Sequence, residues 1–130
     1  MSKKVILLVD DQEDLRKVIG LRIKSWGYDL IEAQNGQEGI DAAKTQNPDI
    51  IILDYMMPDM DGISVLAEIR KTNKTIPVVM FTAYPNKMSM LESEKLGVSS
   101  FVPKLSTYSD IQPLLKAAIH MAEKKQDKDA

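Results

Sequence analysis

Five residues of the chain carry groups suited to phosphorus chemistry on a hard metal ion: Asp10, Asp11, Asp54, Thr82 and Lys104. Each stands at or just beyond the end of a short apolar run: Val5 to Val9, Ile50 to Leu53, Ile76 to Phe81 and Ser99 to Val102. If those runs are parallel strands, their carboxyl ends line one crevice, and three carboxylates, a hydroxyl and an ammonium meet there. Carboxylates held that closely repel and raise one another's pKa unless a cation neutralises them. A divalent ion is therefore implied. The donors are all oxygens and the chain has no Cys, which favours Mg²⁺, with Mn²⁺ suited to the same ligands. A carboxylate beside such an ion is a nucleophile toward phosphorus, and Lys104 and Thr82 would meet the charge of the acyl phosphate that results. Asp54 is the expected nucleophile. Taken singly, each residue has an ordinary explanation: a helix cap for Asp10 or Asp11, a strand end for Asp54 and Thr82, a solvated surface position for Lys104. Their coincidence is what carries the inference.

Other phosphate chemistries are excluded at the same place. Val9-Asp10-Asp11-Gln12 has acids where a nucleotide-binding turn needs glycines and free backbone amides. The formal net charge of -2, from 17 basic and 19 acidic residues, offers no broad basic surface, so direct nucleic-acid binding is not expected. The absence of Cys fits a reducing compartment, and the run Val5 to Val9 is too short for a signal peptide or membrane span. A cytoplasmic location without membrane insertion is the expectation.

Positioning these groups needs alternating elements. Five apolar runs read as strands: Val5 to Val9, Tyr28 to Ala33, Ile50 to Leu53, Ile76 to Phe81 and Ser99 to Val102. The first and third are continuously apolar, as parallel strands covered on both faces are. Leu15, Val18, Ile19, Ile23 and Trp26 fall on one helical face, which Gly27 terminates. Ile111, Leu114, Leu115, Ala118, Ile119 and Ala122 mark a last helix, capped by Ser109 or Asp110, with Pro113 tolerable near its first turn. Weaker helical stretches, Gly36 to Thr45, Ile63 to Lys71 and Asn86 to Leu96, lie between the remaining strands. Five βα units in 130 residues, 44% hydrophobic, predict one α/β doubly wound domain with helices on both faces of a parallel sheet. Met57, Met60, Met88 and Met90 read as core filling rather than as an adaptable partner surface. Trp26 reads as packing, and His120 has no ligand or acid at metal spacing.

Four segments together, Val5 to Asp11, Asp49 to Gly62, Pro77 to Ala83 and Gly97 to Lys104, resemble the receiver domains of two-component response regulators over essentially the whole chain. The resemblance implies a flavodoxin-like (βα)5 fold with sheet order 2-1-3-4-5, a receiver over 1–123 and a charged tail over 124–130. It implies that Asp54 accepts a phosphoryl group from a sensor histidine kinase or histidine phosphotransfer protein. By the same resemblance Mg²⁺ is held by Asp11, Asp54 and the Met56 backbone carbonyl, with Asp10 assisting through water. Thr82 would follow the phosphoryl group and Phe101 would repack with it. That change alters the face formed by the fourth helix, fifth strand and fifth helix, which would engage a downstream protein or a second phosphorylated copy. Such a chain is a phosphoacceptor regulator rather than an enzyme.

Four positions depart from the family pattern. Leu105 follows Lys104 where the family usually has a proline in a cis peptide; a cis Lys104–Leu105 bond would cost about 2.5 to 4 kcal/mol, so trans is expected. Ser100 stands where an acid is common. Met56 and Tyr84 are bulky at the positions two beyond Asp54 and Thr82, which predicts slow loss of the phosphoryl group to water. Two rivals remain: an Mg²⁺-dependent phosphohydrolase with an aspartyl nucleophile, which would commonly want a second acid at position 56, and a degenerate receiver that only binds partners.

Overall fold

The computed structural model describes residues 3–83, 87–104 and 108–129. Strands and helices alternate strictly: β1 (Val5–Val9), α1 (Glu13–Ser25), β2 (Asp29–Ala33), α2 (Gly36–Thr45), β3 (Ile50–Asp54), α3 (Gly62–Thr72), β4 (Val78–Thr82), α4 (Lys87–Lys95), β5 (Ser100–Pro103) and α5 (Tyr108–Asp129). All neighbouring strands pair in parallel, in the order β2-β1-β3-β4-β5. The doubly wound sheet expected from the sequence is thus the one that forms.

Side chains alternate along each strand, so neighbouring residues enter opposite layers. Ile6, Leu8, Ile50, Ile52, Val79 and Phe81 face Ile19 and Ile23 of α1 and Ile111, Leu115 and Ile119 of α5. Leu7, Val9, Ile51, Leu53, Val78 and Met80 face Ile40 of α2 and Val65, Leu66 and Ile69 of α3. Each fully buried aliphatic contributes about 1.5 to 3 kcal/mol, so β1, β3 and β4 form a rigid platform. Pro103, which cannot donate a ladder hydrogen bond, sits on the edge strand β5, where that loss is tolerated.

Several details differ from the sequence expectation. Tyr28 precedes β2 rather than starting it; its ring is buried and its hydroxyl donates to Glu123 Oε2 at 2.7 Å, tying α5 to the sheet. On α1, Ile19 and Ile23 are buried with Leu15 and Trp26 against them, while Val18 lies outside the stripe and is exposed. Leu114 is likewise exposed. Gly27 ends α1 with φ +98°, the left-handed turn anticipated there. Met57 and Met60 pack against the core as expected, but Met88 and Met90 are exposed. Helix α5 begins at Tyr108, which leaves Pro113 inside it, and continues to Asp129, so the expected division at 123/124 falls within a helix. The readings of Tyr84 and of the Lys104–Leu105 peptide involve positions outside the described residues. Among the described residues no helix is long and apolar enough to cross a membrane.

Candidate metal centre

Parallel register creates the site. Val9 and Leu53 are paired across β1 and β3, so Asp10, the next residue of one strand, comes beside Asp54, the last residue of the other. With Asp11 they form a cluster whose ligand oxygens all lie within 4.8 Å of one another. Asp10 and Asp54 are almost wholly buried, and Asp11 is half-buried. Thr82 ends β4 beside them, also buried, and its carbonyl accepts from the Lys104 backbone N–H at 2.7 Å. That bond sets the base of the Lys104 side chain at the mouth of the site.

The ammonium of Lys104 reaches inward over the ring of Phe81, 5.2 Å from its centroid. It lies 3.2 Å from Asp10 Oδ2 and 3.0 Å from Asp54 Oδ2 and donates to Gln12 Oε1 at 2.8 Å. Asp10 Oδ1 accepts from the Gln12 N–H at 2.8 Å, and Asp54 Oδ1 from the Met56 N–H at 3.3 Å. The two Oδ2 atoms are buried and, among the described residues, depend on Lys104 alone for a positive neighbour.

Two of the three carboxylates, Asp10 and Asp54, thus share one ammonium. Burial pushes the Asp54 carboxyl up to about 7, and the charge of Asp10 adds to the rise, against the opposing pull of Lys104 and the Met56 N–H. A hard divalent cation fits this arrangement, since it would offset the excess negative charge and take up oxygen lone pairs that lack donors. The cleft above is lined by Asp11, Gln12, Asp54, Met56, Ala83 and Lys104, with the Met56 side chain exposed at its edge. Directly behind Asp54, Gly62 donates to the Tyr55 carbonyl at 2.6 Å; a Cβ there would lie 2.7 Å from the Asp54 carbonyl oxygen. Only glycine allows α3 to start so close to the Asp54 backbone.

The structure therefore brings together Asp10, Asp11, Asp54, Thr82 and Lys104, with Met56 at the rim. Phe101 is half-buried on β5, paired with Met80 and packed on the core layer that faces α3. Sequence reasoning missed three contributors. Gln12 holds Lys104. Tyr55, beside Asp54, accepts from Ser89 Oγ of α4 at 2.9 Å. Arg16 donates to the Asp10 carbonyl at 2.9 Å. Of these only Arg16 left a trace in the sequence: it is a charged residue in phase with the buried Ile19 and Ile23.

A family model described as the response regulator receiver domain matches residues 6–116. The probable transcriptional regulator ycf27 of Porphyridium aerugineum is 29% identical over 124 residues, covering 95% of this chain and 51% of that protein. The alkaline phosphatase synthesis transcriptional regulatory protein PhoP of Bacillus subtilis is 32% identical over 123 residues, with the same coverage of each. The chain spans about half the length of these curated relatives. Among solved structures, a response regulator receiver domain protein (CheY-like) from Methanospirillum hungatei superposes with TM-score 0.89 at 22% identity, over 99% of this chain and 100% of that one, which bears on the fold alone. The response regulator TrrA from Thermotoga maritima, solved with Mg²⁺ and BeF, superposes with TM-score 0.75 at 31% identity, over 88% of this chain and 98% of that one.

Proposed function

The chain belongs to the response regulator receiver domain family, and from that premise we propose that it is a phosphorylation-dependent switch with Asp54 as the phosphoryl acceptor. The observation that carries this is the gathering of Asp10, Asp11 and Asp54 within 4.8 Å beneath a single lysine. Asp11, Asp54 and the Met56 carbonyl would hold Mg²⁺, with Asp10 assisting through water and Mn²⁺ able to substitute. The bound cation would supply neutralising charge between the carboxylate and the incoming phosphoryl oxygens.

One Asp54 oxygen attacks phosphorus; the bond from phosphorus to the donor's imidazole nitrogen breaks, and the nitrogen keeps the electron pair. Lys104 then transfers its contact from Asp54 Oδ2 to a phosphoryl oxygen, and the Thr82 hydroxyl donates to another. The new group adds roughly −1.5 to −2 charge with three strong acceptors, which biases the packing of Thr82 and Phe101. The donor in this scheme is a sensor histidine kinase or phosphotransfer protein in the cytoplasm. The output face is α4, β5 and α5, toward a downstream protein or a second phosphorylated copy. Any contact with nucleic acid belongs to further domains such as the longer relatives carry. The unit that does this spans residues 1–123, with 124–130 as a charged extension.

Incubation with a small acyl phosphate and Mg²⁺, read by intact mass, tests this reading. One phosphoryl adduct, absent in Asp54→Asn, is expected; rapid multiple turnover would favour a hydrolase, and no adduct with any donor would favour a degenerate receiver. Met56 at the cleft edge obstructs water, so Met56→Asn is expected to shorten the adduct's lifetime; an unchanged decay rate would remove that role.

A further inference from the structure

We infer that Arg16 is a positioning residue for the metal centre, holding the peptide between Asp10 and Asp11 so that both carboxylates turn toward Asp54. This rests on the metal-site reading above. Arg16 lies on α1 and is only 7% exposed. Its Nη1 donates to the Asp10 carbonyl at 2.9 Å, and its Nε donates to Glu32 Oε1 of β2 at 3.1 Å. The Asp10 N–H meanwhile donates to the Ala33 carbonyl of β2 at 3.1 Å. Both peptide groups flanking Asp10 are thus tied toward β2, one directly and one through the Arg16–Glu32 pair. With Asp10 Oδ1 accepting from the Gln12 N–H, the backbone of the acidic turn has little freedom left.

A contact needed only to seat α1 on the sheet would be aliphatic, as Ile19 and Ile23 are. Burying a guanidinium is costly unless it is paired and hydrogen-bonded. Here the charge is matched by Glu32, and the remaining arm of the fork ends on the main chain of a metal-site residue. Arg suits this because its planar fork serves two acceptors in fixed directions, which a lysine ammonium on a flexible stem does not.

Two opposing effects make the proposal decidable by sign. As a nearby positive charge, Arg16 disfavours a cation, so if charge were its only effect its removal would tighten Mg²⁺ binding. As a brace its removal loosens the ligands and weakens binding. Isothermal titration calorimetry of Mg²⁺ on the full chain, comparing wild type, Arg16→Met, Arg16→Lys and the remote core variant Ile119→Val, separates them. Arg16→Met, which keeps the volume, is expected to weaken binding about tenfold, the usual scale for removing a group that orients a metal ligand. Arg16→Lys is expected to weaken it by a smaller factor, and Ile119→Val to leave it unchanged. Wild-type or tighter affinity in Arg16→Met, or wild-type affinity in Arg16→Lys, overturns the proposal. An equal loss in Ile119→Val overturns it too, as a general effect of lowered stability. If wild type itself binds no Mg²⁺, the metal-site reading fails first and this inference with it.

Discussion

Helices α3 and α4 flank the same end of the sheet, yet they are held in opposite ways. α3 turns Val65, Leu66 and Ile69 into the core, and its first residue, Gly62, abuts the Asp54 backbone. The residues of α4 that are described as buried are Ser89 and Ser93, while Met88, Met90 and Leu91 are exposed. Ser89 reaches the Tyr55 hydroxyl, but the buried hydroxyl of Ser93 has no hydrogen-bond partner among the described residues. A helix seated on aliphatic side chains resists displacement, because every shift opens a cavity. One seated on two small serines, one of them without a partner among the described residues, has less to lose, and elements that move are drawn from that weaker end. The wall behind Asp54 is fixed, and the wall beside it is loosely seated.

The contrast breaks most visibly by truncation. Leu66→Ala is expected to cost about 2 to 5 kcal/mol in urea unfolding, whereas Leu91→Ala on α4 should be close to neutral. Similar losses at the two positions would dissolve the distinction. Next in size is Arg70, at the end of α3, whose guanidinium donates to the carbonyls of Leu96, Asn73, Ile76 and Gly97. Arg70→Ala should cost about 1 to 3 kcal/mol and speed amide exchange at 96–98 beyond α4, because it removes the clamp that ties this end of α4 to α3.

The acidic cluster between the walls gives a pH test. Asp54 is raised from its ordinary 3.8 to about 7, so the folded chain holds that proton more tightly than the unfolded one. Without metal, the group's contribution is present below pH 4 and is lost as pH rises through about 7. Asp54→Asn should therefore stabilise the metal-free protein at pH 8 by roughly 1 to 2 kcal/mol and much less at pH 5. Mg²⁺ should remove most of that gain by stabilising wild type alone. A pH-independent difference between the two proteins would count against the buried charge. The smallest effect distinguishes the two α4 serines: Ser93→Ala is expected to be neutral or slightly stabilising in thermal melts, and Ser89→Ala to destabilise by about 0.5 to 1.5 kcal/mol through loss of the Tyr55 bond.

Much of this was legible in the sequence where strand position dictates chemistry. Apolar runs ending in acids located β1 and β3, and parallel pairing then brought Asp10, Asp11 and Asp54 together without any helix being known. What escaped depended on side chains meeting across elements. The Gln12 amide on Lys104 joins residues far apart in the chain, and nothing in either neighbourhood announces it. Val18 and Leu114 fit their helical stripes by rough spacing but fall on the rim, because a stripe's width is set by what packs on it. The polar seating of α4 was hidden for the same reason: its exposed methionines looked like core residues, whereas the buried positions are serines.

The most direct measurement reduces the phosphorylated protein with borohydride, which converts an aspartyl phosphate to homoserine, and then maps the altered residue by peptide mass. Homoserine at position 54 alone, and none when EDTA has removed the divalent ion before the donor is added, is the expected result. Homoserine at position 10 or 11, or equal yield without the ion, would contradict a metal-dependent acceptor at Asp54.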